Sequence, residues 1–164
     1  MKQDRFLMGI LIFIGVLVIA ALALFFIRQD AQVYVTGDTP DSIIHNYALA
    51  LQKQDFQRAY GYLADKGNKP SYETFRRAFL TNQLDVTSNA IQVGTIQYIS
   101  SSEATVSVSV LYPGSGPFSQ GGSSTDTAAL VQQGGTWKLT YMPFPYWSFD
   151  WYQPPQPTLQ PVKP

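Results

Sequence analysis

The sequence predicts an α+β fold: an N-terminal transmembrane helix, then three helices packed on one face of a curved antiparallel sheet of about four strands. Three observations predict it. Residues 6–27, FLMGILIFIGVLVIAALALFFI, form an unbroken apolar run without a single charge. Between residues 39 and 80 apolar side chains recur at helical spacing, behind residues suited to capping. From residue 85 onward the apolar period shortens to two, in four stretches separated by turn-forming residues. Helices first and an antiparallel meander after them is the order of an α+β domain.

A helix over residues 6–27 rises about 1.5 Å per residue and so reaches about 33 Å, enough to cross a hydrocarbon core of about 30 Å. Lys2 and Arg5 precede it, whereas Arg28 is offset by Asp30. The more basic flank stays on the cytosolic side, which places residues 1–5 inside and the rest of the chain outside the cytoplasmic membrane as a single-pass signal-anchor protein. The rival reading is a cleaved signal peptide, since Ala21-Leu22-Ala23 has the small-x-small form of a cleavage site. Cleavage there would strand Leu24-Phe25-Phe26-Ile27 on a soluble protein, and signal cores usually span only about 7–15 residues. No cysteine is present to carry a lipid, a disulfide, a thiol nucleophile or a zinc–thiolate site. With a formal net charge of zero and 13% charged residues, the chain offers no basic stripe for nucleic acid. Its partner by composition is the lipid bilayer, through residues 6–27.

Residues 28–39 read as a linker, with Val33-Tyr34-Val35 as a small edge strand or a stalk. One domain follows, over residues 40–152. Thr39 as cap, Pro40 at the first helical position and Asp41 near the positive end of the dipole start a helix. Its inward stripe is Ile43, Ile44, Tyr47, Ala48 and Leu51. The wheel puts His45 and Leu49 off that stripe, toward solvent. Asp55 caps a second helix with Phe56, Ala59, Tyr60 and Leu63 inward, and Ser71 caps a third with Tyr72, Phe75 and Phe79 on one face. Ile91 and Val93 have one strand parity and Ile96 and Tyr98 the other, so a bulge at Gly94 is needed to bring all four to one side. Ala104 to Val110 alternates apolar with hydroxyl residues. Residues 112–124, rich in Gly, Pro and Ser, form a mobile loop or the frayed tip of a long ribbon, after which strands at residues 125–132 and from Trp137 close a hairpin on Gly134-Gly135. Residues 153–164 form a Pro-rich, disordered tail of polyproline type.

The segments IIHNYALALQKQDFQRAYGYL, SYETFRR and TWKL resemble the nuclear transport factor 2-like (cystatin-like) superfamily, and within it bacterial, membrane-attached members of unknown function. The resemblance implies a cone whose interior, between helices and concave sheet, serves as a pocket in the enzymes of that superfamily. It implies fold more than function, because the superfamily hosts isomerases, dehydratases, hydrolases and assembly factors.

Within such a cone Tyr47 and Tyr60 point inward, and Asp85 lies at the start of the first strand. These three are the candidate ligand-binding residues, each with a plainer reading: the tyrosines as core residues satisfied at the rim, Asp85 as a turn residue. No catalytic residue is assigned. There is no phosphate loop, no nucleophile elbow and no paired acidic motif, and a single histidine among scattered carboxylates offers no metal site; no cofactor is called for. Residues 141–152, YMPFPYWSFDWY, are dense in aromatics. They either fold over the open end of the cone, lie in the lipid headgroup layer, or form a docking face of Tyr146, Trp147, Phe149, Trp151 and Tyr152. The off-stripe Leu49 is compatible with a homodimer or a protein partner. The function expected is an extracytoplasmic binding or assembly module, with a small-molecule hydrolase, isomerase or dehydratase as the alternative.

Overall fold

The computed structural model describes residues 5–30, 33–114, 116 and 119–153. The chain divides into two units, Met1–Tyr34 and Val35–Pro164. The first holds α1, Arg5–Asp30, which extends beyond both ends of the apolar run. Its window Leu7–Leu24 has a mean hydropathy of 3.0, with every side chain there exposed. Among the described residues, one helix is thus long and apolar enough to cross a membrane. All but the first residue of the Pro-rich tail lies outside the described residues.

The second unit contains α2 (Pro40–Gln52), α3 (Phe56–Gly61), α4 (Tyr72–Leu80) and four strands: β1 (Ala90–Tyr98), β2 (Glu103–Tyr112), β3 (Gly122–Gln133) and β4 (Thr136–Tyr141). The strands form one antiparallel sheet in the order β1-β2-β3-β4. The fold is the α+β one the sequence predicts. The bulge falls where parity requires it, between Val93 and Ile96. Ala104, Val106, Val108 and Val110 are buried on the inner face of β2. Burying each of the three valines favours folding by about 1.5–3 kcal/mol.

At residues 112–124 the strands run on as a ribbon as far as Tyr112, which pairs with Gly122 at the start of β3; residues 115, 117 and 118 of this stretch lie outside the described residues. Gly134 and Gly135 take φ values of 61° and 83°, a left-handed pair that only glycine adopts without strain and that matches a tight hairpin to the twist of its strands.

The helix starts divide by chemistry. Ser71 Oγ accepts the Thr74 amide and Asp55 Oδ1 accepts the Arg58 amide, as caps should. Thr39 stands at the cap of α2, yet its hydroxyl bonds the Ser42 hydroxyl (2.7 Å) instead of a backbone amide. Helix α3 stops at Gly61, two residues short of Leu63. The reason is a competing partner: the Leu139 amide donates to the Tyr62 carbonyl and the Ala64 amide to the Leu139 carbonyl, so residues 62–64 leave the helix to cover the outer edge of β4.

The largest correction concerns α2. Leu49 is buried, His45 is half-buried, and so are faces the wheel assigns to solvent. The helix is covered from two sides. The sheet lies under one face, while the chain leading into the domain crosses the other, where Asn46 donates to the Val35 carbonyl (2.9 Å) and accepts the Val35 amide (2.8 Å). Residues 33–35 form no strand; Val35 is tied to a side chain instead. A two-fold bond from one buried amide to an otherwise unpaired peptide costs about 1–3 kcal/mol to remove. Asn46→Ala is expected to destabilise the domain by that amount in urea unfolding followed by Trp fluorescence in mild detergent, with the denaturant slope unchanged.

Candidate functional site

The cone's interior is the natural place to look for a site, and it is occupied by the chain's own aromatic return. After β4 the chain turns through Met142 and Pro143, passes a cis Phe144–Pro145 bond, and lays Tyr146, Trp147 and Trp151 into the core. Tyr47, fully buried, donates its phenol to the Tyr146 carbonyl at 2.7 Å. The Tyr146 phenol in turn donates to the Asn89 carbonyl, just before β1, at 3.0 Å. One residue thereby ties the central helix, the aromatic return and the first strand together.

Around this link the rings pack edge to face and offset. Trp147 meets Trp151 at 5.1 Å and stacks on Tyr152 at 5.6 Å, while Trp151 meets Phe75 at 5.2 Å. Each such pair adds about 0.5–1.5 kcal/mol beyond the area it buries. Tyr152 adopts a left-handed backbone (φ 61°), and its phenol donates to the Ala64 carbonyl, closing the return against the segment that covers β4.

The candidate residues do not converge on a shared space. Tyr47 spends its phenol on Tyr146. Tyr60 is half-buried, donates to the Pro70 carbonyl at 2.9 Å, packs against Tyr72 and Phe75, and carries the Lys69 ammonium 4.5 Å from its ring centroid. Asp85 is exposed in a turn, where its carboxylate accepts the Thr87 hydroxyl (2.6 Å) and amide (2.9 Å). Those bonds hold its carboxyl below the usual range, so it is ionised at neutral pH and poorly suited to act as a base. Asp85 rims a recess of about 120 Å³ whose floor of Leu51, Phe56, Phe79 and Leu84 is bordered by the polar Gln54, Asn82 and Thr87.

Of the five aromatics considered as a docking face, Tyr146, Trp147 and Trp151 are buried, Tyr152 is half-buried, and Phe149 is 70% exposed. The physical reason is the path of the return: it turns repeatedly, so Tyr146, Trp147 and Trp151 enter the core while Phe144 and Phe149 fall on the outside. Phe149 stacks on Phe144, 47% exposed, with their centroids 6.2 Å apart and planes 8° from parallel. What remains of an outward aromatic face is that pair.

Sequence reasoning overlooked a shallow groove of about 430 Å³ beside β4, lined by Asp38, Arg58, Tyr62, Trp137 and Lys138 among others. Asp38 accepts the Trp137 amide (3.0 Å) and Lys138 donates to the Gly61 carbonyl (2.6 Å), so these two charges of the groove are anchored to backbone. Its residues come from four separate segments, and no spacing within any one of them marks the site. Aromatic wall, two cations and one carboxylate suit contact with a polar group. Among the described residues no three His, Asp or Glu side chains gather as a metal site would require.

The structural neighbours of this chain include NTF2-like and cystatin-like proteins. An NTF2-like protein of unknown function from Shewanella oneidensis aligns at 12% identity and a TM-score of 0.45, over 60% of this chain and 88% of the other. A cystatin-like protein of unknown function from Nostoc punctiforme aligns at 17% identity and a TM-score of 0.46, over 59% and 80%. A SEC-C motif protein from Rhodopseudomonas palustris aligns at 12% and 0.48, over 63% and 77%. No family model and no curated protein matches the sequence.

The buried phenols give the site a pH signature. Burial pushes Tyr47 well above the usual tyrosine value, with Tyr152 and Tyr146 nearby adding to the effect; burial likewise raises Tyr146 to about 12 and Tyr152 further. The folded state therefore holds these protons more tightly than the unfolded chain does. The stability they contribute is complete below about pH 10 and is lost as pH rises through the folded values. Absorbance titration of the phenols is expected to show a group ionising only with alkaline unfolding. Tyr47→Phe, which leaves the Tyr146 carbonyl unpaired, is expected to cost about 1–3 kcal/mol at neutral pH in urea unfolding.

Proposed function

We propose that this chain is a single-pass protein of a bacterial cytoplasmic membrane, N-terminus inside, and that residues 40–152 act outside as a binding or assembly module. The observation that carries the second half is the filled cone. A catalyst of small molecules needs a concave space with convergent polar groups. Here that space holds Trp147, Trp151, Met142 and a tyrosine pair already bonded to each other, and the hydroxyls of Tyr47 and Tyr60 are committed to carbonyls. What the domain offers a partner is its outside: the groove beside Trp137 and the exposed Phe144–Phe149 stack.

The first half draws support from the apolar helix and from the basic residues on its N-terminal side. An exposed hydrophobic stretch of this length has no burial partner among the described residues of its own unit, and a bilayer supplies one. Protease added to spheroplasts carrying a C-terminally tagged full chain is expected to remove the tag while an N-terminal fragment stays in the carbonate-washed membrane pellet. A protected tag, or the intact chain in the wash, contradicts the topology.

A further inference from the structure

The two edges of the sheet are treated differently. The outer edge of β4 is covered by residues 62–64. Beyond β1, among the described residues, no strand lies. Edge strands in soluble domains are commonly guarded by charges, prolines or bulges; β1, AIQVGTIQY, has neither charge nor proline, and its one irregularity is the bulge between Val93 and Ile96.

The bulge gives this edge a particular symmetry. Ile91 and Val93 pair with Val110 and Val108, and Ile96 and Tyr98 pair with Val106 and Ala104. All four partners are buried, so all four β1 residues share the inner face of the sheet although their sequence parity differs. The backbone follows the same phase. Glu103 takes the Ile99 amide at 2.9 Å, so alternate residues of β2 from Glu103 onward, Thr105 and Ser109 among them, face β1. Their partners Gln97 and Gln92 turn their peptide groups inward to β2. Ile91, Val93, Ile96 and Tyr98 then turn theirs outward, to the open edge.

These four positions are symmetric about the point between Gly94 and Thr95. A two-fold axis there sets Ile91 opposite Tyr98 and Val93 opposite Ile96 of another β1, inner face against inner face and outward peptide against outward peptide. Gln92 falls opposite Gln97. An unbulged strand cannot do this, because residues an odd number apart would then face opposite sides. Gly94 sits at the centre. A Cβ there would lie 3.1 Å from the Ser107 carbonyl oxygen, so the glycine keeps the bulge tight and leaves the middle of the edge clear of a side chain. Tyr98 is 61% exposed and Ile91, Val93 and Ile96 are half-buried, which leaves apolar area for a second strand to cover.

We infer that β1 pairs antiparallel with β1 of a second copy of this chain, in the register that opposes Gln92 to Gln97, joining two four-stranded sheets into one. The inference goes beyond the binding role proposed above and does not depend on membrane topology.

The absence of cysteine makes the register directly testable. In the dimer, Gln92 and Gln97 form a non-hydrogen-bonded pair across the two-fold, about 4.5 Å between Cα atoms, within disulfide reach. Both are exposed, and within one strand they are about 16 Å apart, too far to bridge. The full chain carrying Q92C/Q97C, oxidised in detergent with copper phenanthroline, is expected to run as a dimer on a non-reducing gel and to revert with reductant. Q92C alone and Q97C alone are expected to stay monomeric, and an equal mixture of the two to cross-link. A double variant that labels with maleimide but stays monomeric overturns the inference. Single variants that cross-link as well as the double do the same, as does cross-linking only to other proteins. Sedimentation of the unmodified chain supplies an independent readout: a dimer is expected, and a monomer at all concentrations overturns the pairing.

Discussion

The contact on which the domain depends is the hydrogen bond from the Tyr47 phenol to the Tyr146 carbonyl, made in the dry interior between residues 99 positions apart in sequence. It joins the first helix of the domain to the aromatic return after β4, and the Tyr146 phenol reaches on to Asn89 just before β1. A buried carbonyl without a donor is expensive, so the aromatic return has one good position and takes it. Once it does, Trp147 and Trp151 fill the space between helices and sheet.

Much of this fold is legible in the sequence because its signals are local. The Ser71 and Asp55 caps, the Gly134-Gly135 turn and the alternation of β2 each involve residues a few positions apart, and each determines its own element. The Gly94 bulge is legible for a less common reason: the apolar parity of Ile91, Val93, Ile96 and Tyr98 is inconsistent without it. The helical wheel fails at Leu49 and His45 because it assumes one buried face. Helix α2 has two, and the second is made by Asn46 holding a stretch of chain that carries no periodic signal of its own. Likewise, nothing within residues 56–63 says that Leu63 should leave the helix; that is decided by Leu139, far along the chain.

The site was less legible than the fold. Inward-pointing tyrosines are visible on a wheel, but whether a phenol faces a ligand or a carbonyl depends on the partner, and both partners here, Tyr146 and Pro70, come from other segments. The groove beside Trp137 gathers residues from four segments and leaves no spacing to find. An aromatic-rich stretch signals that large rings must go somewhere without saying which side they take. In this chain the answer is inward for Tyr146, Trp147 and Trp151 and outward for Phe149.

A filled interior and a bare outer surface make different demands on solvent access to the indoles. All three tryptophans, Trp137, Trp147 and Trp151, are buried. Acrylamide quenching of the full chain in mild detergent is the direct measurement: the account predicts weak quenching of all tryptophan emission until the domain is unfolded by denaturant, after which quenching approaches that of free tryptophan. Strong quenching of the folded protein, with the aromatic return open to solvent and the cone vacant, would contradict it.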